Sequence, residues 1–235
     1  MLWFKVWLET RARFLICLAG ITALCTHRVY EANHSTPAWA QISYHYFVLR
    51  SAQQLLSVMW LVAITLLLMG GLLQEKAQGS SSFTLALPVS RARLMNVRIC
   101  AGLMQSALLV LVPWTVMYAI SYFMGPARSV SQVLFYIVLL ASGGAVFVGT
   151  ALLISSLVES PYTASTIAAG FVLACGNAPK SLSFVNPLEF MNGSAYLGSD
   201  NLATGLMPWG HVAAYVSIAA LLIMASVKVI ERRDF

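Results

Sequence analysis

The residues most able to do something other than span a bilayer lie at 75–91, reading EKAQGSSSFTLALPVSR. Glu75, Lys76 and the run Gly79-Ser80-Ser81-Ser82 are polar. Phe83, Leu85 and Leu87 are apolar knobs at alternate positions, and Pro88, Ser90 and Arg91 close the segment. The glycine and serines permit a turn and can cap a short helix. Pro88 stops that helix, and Ser90 can cap the next one. The chemistry on offer is docking of apolar side chains into a partner's pocket, not bond breaking.

Catalytic patterns are missing elsewhere. No phosphate-cradling G-x-x-x-x-G-K-[ST] occurs, and Lys5, Lys76, Lys180 and Lys228 all lack that glycine context. Neither HExxH nor GxSxG is present. His27, His34, His45 and His211 have no metal-ligand spacing. Cys17, Cys25, Cys100 and Cys175 form no CxxC pair and read as reduced thiols in apolar helices. The expectation is a protein that is not an enzyme and carries no cofactor or metal of its own.

Composition says what must position the 75–91 segment. The 235 residues are 59% hydrophobic and 9% charged, against about 25% charged in a soluble domain. Mean hydropathy is +0.78. The expected class is an all-α polytopic membrane protein, one transmembrane domain over 1–235. The net charge of +6 is not a nucleic-acid footprint, because the basic residues fall at the ends of apolar runs.

In chain order, residues 1–13 place Lys5, Glu9 and Arg13 on one helical stripe, with Trp3, Val6 and Trp7 away from it. Two tryptophans with Lys5, Arg11 and Arg13 predict an amphipathic helix in the headgroup layer, in contact with membrane lipids. A first span covers 14–26, lengthened toward Tyr30 by snorkelling of Arg11 and Arg13. Its start resembles a signal peptide, but Thr-Ala-Leu-Cys at 22–25 lacks the small pair of a cleavage site, so the span reads as retained. Further spans are expected at 55–73, 99–123, 133–158, 163–175 and 211–227, six in all. Pro113 is expected to kink the third. Ala141, Ala145 and Gly149, four apart, admit close approach of a neighbouring helix or of a second copy. Residues 176–210 are too apolar for a free loop and too rich in proline for a span. They read as short half-buried helices on the outer side, with re-entrant segments as the membrane precedent for such backbone.

Orientation follows from counting. With the N-terminus inside, ten of the fourteen basic residues are cytoplasmic: Lys5, Arg11, Arg13, Lys76, Arg91, Arg93, Arg98, Lys228, Arg232 and Arg233. Arg28, Arg50, Arg128 and Lys180 are outside. This obeys the positive-inside rule and puts both termini and segment 75–92 in the cytoplasm. No span carries an ionisable residue near its middle, which argues against an ion-coupled carrier.

The chain resembles the membrane subunit of an ABC exporter of the ABC-2-type permease family. The resemblance covers the layout of nearly the whole chain, and its most specific part is Glu75, Gly79-Ser80 and Phe83 to Leu87-Pro88-Val89-Ser90-Arg91. It implies that this segment is a coupling helix docking on a separate ABC ATPase. It also implies two ATPase copies that bind ATP and Mg, a second permease copy, and outward movement of a lipophilic or amphipathic drug, peptide or lipid. Two other classes stay open: a non-transporting membrane anchor or sensor that regulates its ATPase, and an ion-coupled secondary carrier. Substrate-binding residues are not identified at this level.

Overall fold

A computed structural model describes residues 2–35, 51–68, 91–124, 130–158, 160–177, 179, 185–196 and 206–232. The described residues are helical, with no strand among them. Helix α1 is Leu2–Ser35, α2 is Ala52–Leu68, α3 is Arg91–Met124, α4 is Val130–Leu157 and α5 is Pro161–Gly176. A short α6, Pro187–Asn192, and a 3-10 turn, Ser194–Tyr196, precede α7, Trp209–Arg232.

Four helices contain stretches long and apolar enough to cross a bilayer: Trp3–Glu31, Met95–Phe123, Val130–Leu157 and Trp209–Arg232. Ala52–Leu68 and Thr163–Gly176 are apolar but shorter. The chain is thus a helical protein of membrane type, with four helices of spanning length where six spans were expected. The expected second span, 55–73, starts three residues early, and its end beyond Leu68 lies outside the described residues. The expected fifth span is a 16-residue helix, opened by Pro161 at its first turn and by Ser160 before it.

The N-terminal expectation changes. Residues 1–13 are not a separate element, because α1 is one unbroken 34-residue helix. The physical reason is local: no glycine occurs before Gly20 and no proline before Pro37, so nothing interrupts the backbone ladder at Arg13. At about 1.5 Å per residue, α1 is about 50 Å long, well beyond a hydrocarbon core of about 30 Å. The charged turns holding Lys5, Glu9, Arg11 and Arg13 are the part that has to lie outside that core. Similarly, α3 is a single helix through Pro113.

Cross-helix contacts give the directions. Leu68 abuts Gly102 and Trp60 bonds to Ser106, so α2 and α3 are antiparallel. Trp60 also fills the space above Gly144, and Trp114 stacks on Tyr136, so α4 runs against α3 and along α2. Thr10 meets Gln105 and Glu9 meets Arg98, so α1 and α3 run the same way. Along α4, Phe135 sits with Tyr196, near His211 of α7, while Gly149 lies under Leu222, so α4 and α7 are also codirectional. One end of the bundle therefore carries Lys5, Arg11, Arg13, Arg93, Arg98, Lys228 and Arg232. Arg28 lies toward the opposite end.

The core is organised on α4, which touches α2, α3, α5, α6 and α7. Its three glycines each admit a different neighbour. A Cβ on Gly143 would meet Met191 Cγ at 2.6 Å and the Pro187 carbonyl at 3.0 Å, both of α6. One on Gly144 would strike the Trp60 ring of α2. One on Gly149 would meet Leu222 Cβ at 2.9 Å and the Ala219 carbonyl at 3.2 Å, both of α7. Small residues of this kind let membrane helices come close enough for dispersion to hold them.

Candidate functional site

Of the residues expected to dock a partner, Glu75, Gly79, Ser80, Phe83, Leu85, Leu87 and Pro88 lie outside the described residues. Arg91 is described only as the first residue of α3. What the structure supplies is the frame at either side: α2, which ends at Leu68 before the segment, and α3, which begins directly after it.

That frame is a joint of three helices. Trp60 of α2 is fully buried, and its indole Nε1 donates to the carbonyl oxygen of Ser106 on α3 at 3.0 Å. An i−4 backbone carbonyl inside a helix already accepts one bond, and its second lone pair takes the indole. Ser106 keeps its own hydroxyl on Leu103 O at 2.8 Å, so it does not compete for that contact. The α2–α3 pair therefore carries a polar pin in an apolar seam.

The second connection lies nearer the shared inner end. Gln105 of α3, 2% exposed, donates from Nε2 to Thr10 Oγ1 of α1 at 2.7 Å. Thr10 in turn donates to the Val6 carbonyl at 2.9 Å. Two turns further toward the end, Arg98 Nη2 donates to Glu9 Oε2 at 3.4 Å, and Lys5 lies 3.7 Å from Glu9 Oε1. Glu9 thus sits between a lysine of its own helix and an arginine of α3. Trp3, Trp7, Arg11 and Arg13 are exposed, and Lys5 is half-buried.

The opposite end is built differently. Asn186 caps α6 by accepting from Leu188 N at 3.0 Å, and its Nδ2 donates to the Cys175 carbonyl at the end of α5 at 2.7 Å. Gly193 closes α6 with a φ of 69°, the left-handed position that favours glycine. Phe190 then packs into a cluster with Tyr196, His211 and Tyr215, the Phe190–Tyr215 centroids 4.6 Å apart. Burial pushes the Tyr196 phenol above its usual value. Of the stretch 176–210, the described residues include two short helical pieces, α6 and the 3-10 turn, and α6 lies against the flank of α4 rather than beyond its tip.

The stripe Ala141, Ala145 and Gly149 divides. Gly149 packs inside the chain under α7, whereas Ala141 and Ala145 line an apolar cleft of about 160 Å³ with Trp60, Leu103 and Val110. Sequence reasoning missed the Gly143 and Gly144 contacts, the Trp60 pin and the Glu9–Arg98 pair. The glycine pair inside an apolar run was the one visible signal, since adjacent glycines in a span mark close backbone approach. No family model matches this chain, and no curated protein matches it.

Proposed function

We propose that this chain is the membrane-spanning subunit of an ATP-driven exporter. Six helices cross the cell membrane in this reading: the four of spanning length, with α2 and α5 completing the set. Both termini and the segment 75–92 face the cytoplasm. That segment docks through Phe83, Leu85 and Leu87 on a separate ABC ATPase, which supplies ATP and Mg. Two such subunits pair around the substrate, a lipophilic or amphipathic molecule, and two ATPases drive them.

The observation that carries this reading is the pin between α2 and α3, Trp60 on Ser106, in the two helices that flank the segment. A load applied at 75–90 reaches both helices at once, and the pin forces them to tilt as a pair. The polar contacts of α3 with α1 pass the same tilt to the N-terminal helix. The chain itself has no nucleotide-binding motif, so the work has to come from a partner.

The test is to substitute Phe83→Asp and Leu85→Asp and to measure co-purification with a co-expressed ABC ATPase, together with ATP-dependent transport in vesicles. Both fall to background if the segment is the docking element. Unchanged association and unchanged coupling overturn it. Altered ATP hydrolysis with no transport at any tested substrate identifies a regulatory anchor instead.

A further inference from the structure

Arg11 and Arg13 of α1 lie deeper in the bundle than the cations that end a span. Trp209 and Lys228 of α7 are nineteen positions apart, a rise of about 28 Å, which matches a hydrocarbon core of about 30 Å. The middle of that rise, near residue 218, has a counterpart on each packed helix. Ala219 and Leu222 lie against Gly149, so it is level with about residue 147 of α4. Trp60 meets both Gly144 and Ser106, and Trp114 stacks on Tyr136, so residue 147 is level with about residue 103 of α3.

Helix α1 runs beside α3 in the same direction. The Gln105–Thr10 bond sets Thr10 level with Gln105, which places Arg11 and Arg13 opposite Ser106 and Leu108. The Glu9–Arg98 pair allows α1 to sit lower, with Arg13 opposite Gly102 at the lowest. Over that whole range the Arg13 Cα is about 13 to 22 Å inside the level of Lys228. Snorkelling covers part of that distance and not all of it. Both arginines are exposed, and among the described residues neither has an ion-pair partner. Glu9 is the one carboxylate of α1 before Glu31, and Lys5 and Arg98 already share it. Two uncompensated charges at this depth require a counter-charge or water.

Their placement on α1 says which. Two positions apart, they point about 160° away from each other around the helix. One face of a partner helix cannot cover both, whereas surrounding lipid can. Each also stands beside exposed aliphatic side chains one turn further into the bilayer, Leu15 for Arg11 and Ile16 for Arg13. A phospholipid matches that pairing: a guanidinium takes two phosphate oxygens at once, and the aliphatic turn beyond it takes the acyl chain. The unneutralised positive charge selects an anionic headgroup.

We propose that Arg11 and Arg13 each hold the phosphate of an anionic phospholipid from the leaflet on the α1 N-terminal side, drawing headgroups and water inward and thinning that leaflet around α1. The charged turns of α1 thereby stay out of hydrocarbon although the helix follows α3 into the bilayer. The site needs only that α1, α3 and α7 are embedded. It depends neither on export nor on an ATPase.

The test uses the full chain in nanodiscs of mixed phosphatidylcholine and phosphatidylglycerol, with bound lipid read by native mass spectrometry after release. Wild type is expected to retain phosphatidylglycerol in preference to phosphatidylcholine, and the double variant Arg11→Gln, Arg13→Gln to lose that preference. A second arm places Ala12→Cys, between the two arginines and exposed, in a cysteine-free chain. A water-soluble maleimide should label it, and should fail to label it once both arginines are glutamine and hydrocarbon closes over the site. Ala19→Cys, also exposed and two turns deeper, should stay unlabelled throughout. Removing charge from the bilayer interior does not threaten folding, and the wild-type lipid and labelling results stand without the variant. Equal retention of the two lipids by wild type overturns the proposal. So does labelling without lipid preference, which means water alone, or an Ala12→Cys thiol that is shielded and cross-links to a second copy.

Discussion

Glu9 and Arg98, 89 residues apart in the chain, meet at 3.4 Å across the α1–α3 seam. The pair is partly exposed, with side chains 36% and 19% accessible. Screening at such a site keeps its contribution small, on the order of 0.2–1 kcal/mol. Its value lies in register: α1 and α3 are parallel, and a one-turn slip between them breaks this pair and the Gln105–Thr10 bond together.

Substituting Glu9→Gln is expected to lower stability by about 0.5 kcal/mol, and Gln105→Leu by about 1 kcal/mol or more, because the second contact is buried. A double-mutant cycle read by thermal unfolding in detergent checks this. Added salt should diminish the Glu9 effect and leave the Gln105 effect unchanged.

Gly144→Ala drives a methyl group into the Trp60 ring. The ring has to rotate off its Ser106 acceptor or α2 has to move away from α4. The expected cost is about 1–3 kcal/mol, with a changed Trp60 fluorescence spectrum in a chain whose other tryptophans are replaced by Phe. Gly20→Ala, where nothing lies within 4 Å of the new methyl, is the control and should be neutral or slightly stabilising.

Gly149→Leu separates α4 from α7, since the Leu222 Cβ and the Ala219 carbonyl already occupy that space. Loss of folded protein on size-exclusion chromatography is the expected outcome. Ala141→Leu, in the open cleft, should fold normally. If it instead abolishes self-association while the monomer stays folded, the cleft is a seam between two copies.

Gly193→Ala places a β-carbon at a φ of 69°, against Leu139 at 3.1 Å and the Tyr136 ring at 3.3 Å. Backbone strain costs about 1 kcal/mol and the contacts add to it. Because α6 depends on this cap, hydrogen exchange should quicken at Phe190 and Met191 before the spanning helices respond.

Orientation is testable in a cysteine-free background with Lys76→Cys and Lys180→Cys. A membrane-impermeant thiol reagent should label position 180 in intact cells and position 76 only after permeabilisation. The reverse pattern would place segment 75–92 outside and remove its proposed role.

Hydropathy and charge placement determined the helical membrane class and most helix positions, because both are sums over neighbouring residues. The expected spans 99–123, 133–158 and 211–227 fall within or almost within α3, α4 and α7, and the proline-broken stretch before the last span yields α6. The unbroken α1 was also legible, in the absence of glycine or proline before Gly20, but the paired tryptophans and cations drew the reading toward a surface helix. Which side chains meet could not be read this way. Gln53 reaches a carbonyl 138 residues away, Trp60 one 46 residues away, and Gly143, Gly144 and Gly149 face three different helices within two turns. Those pairings depend on helix rotation and depth, which are set by packing of the whole bundle at once, and only the tertiary structure decides them.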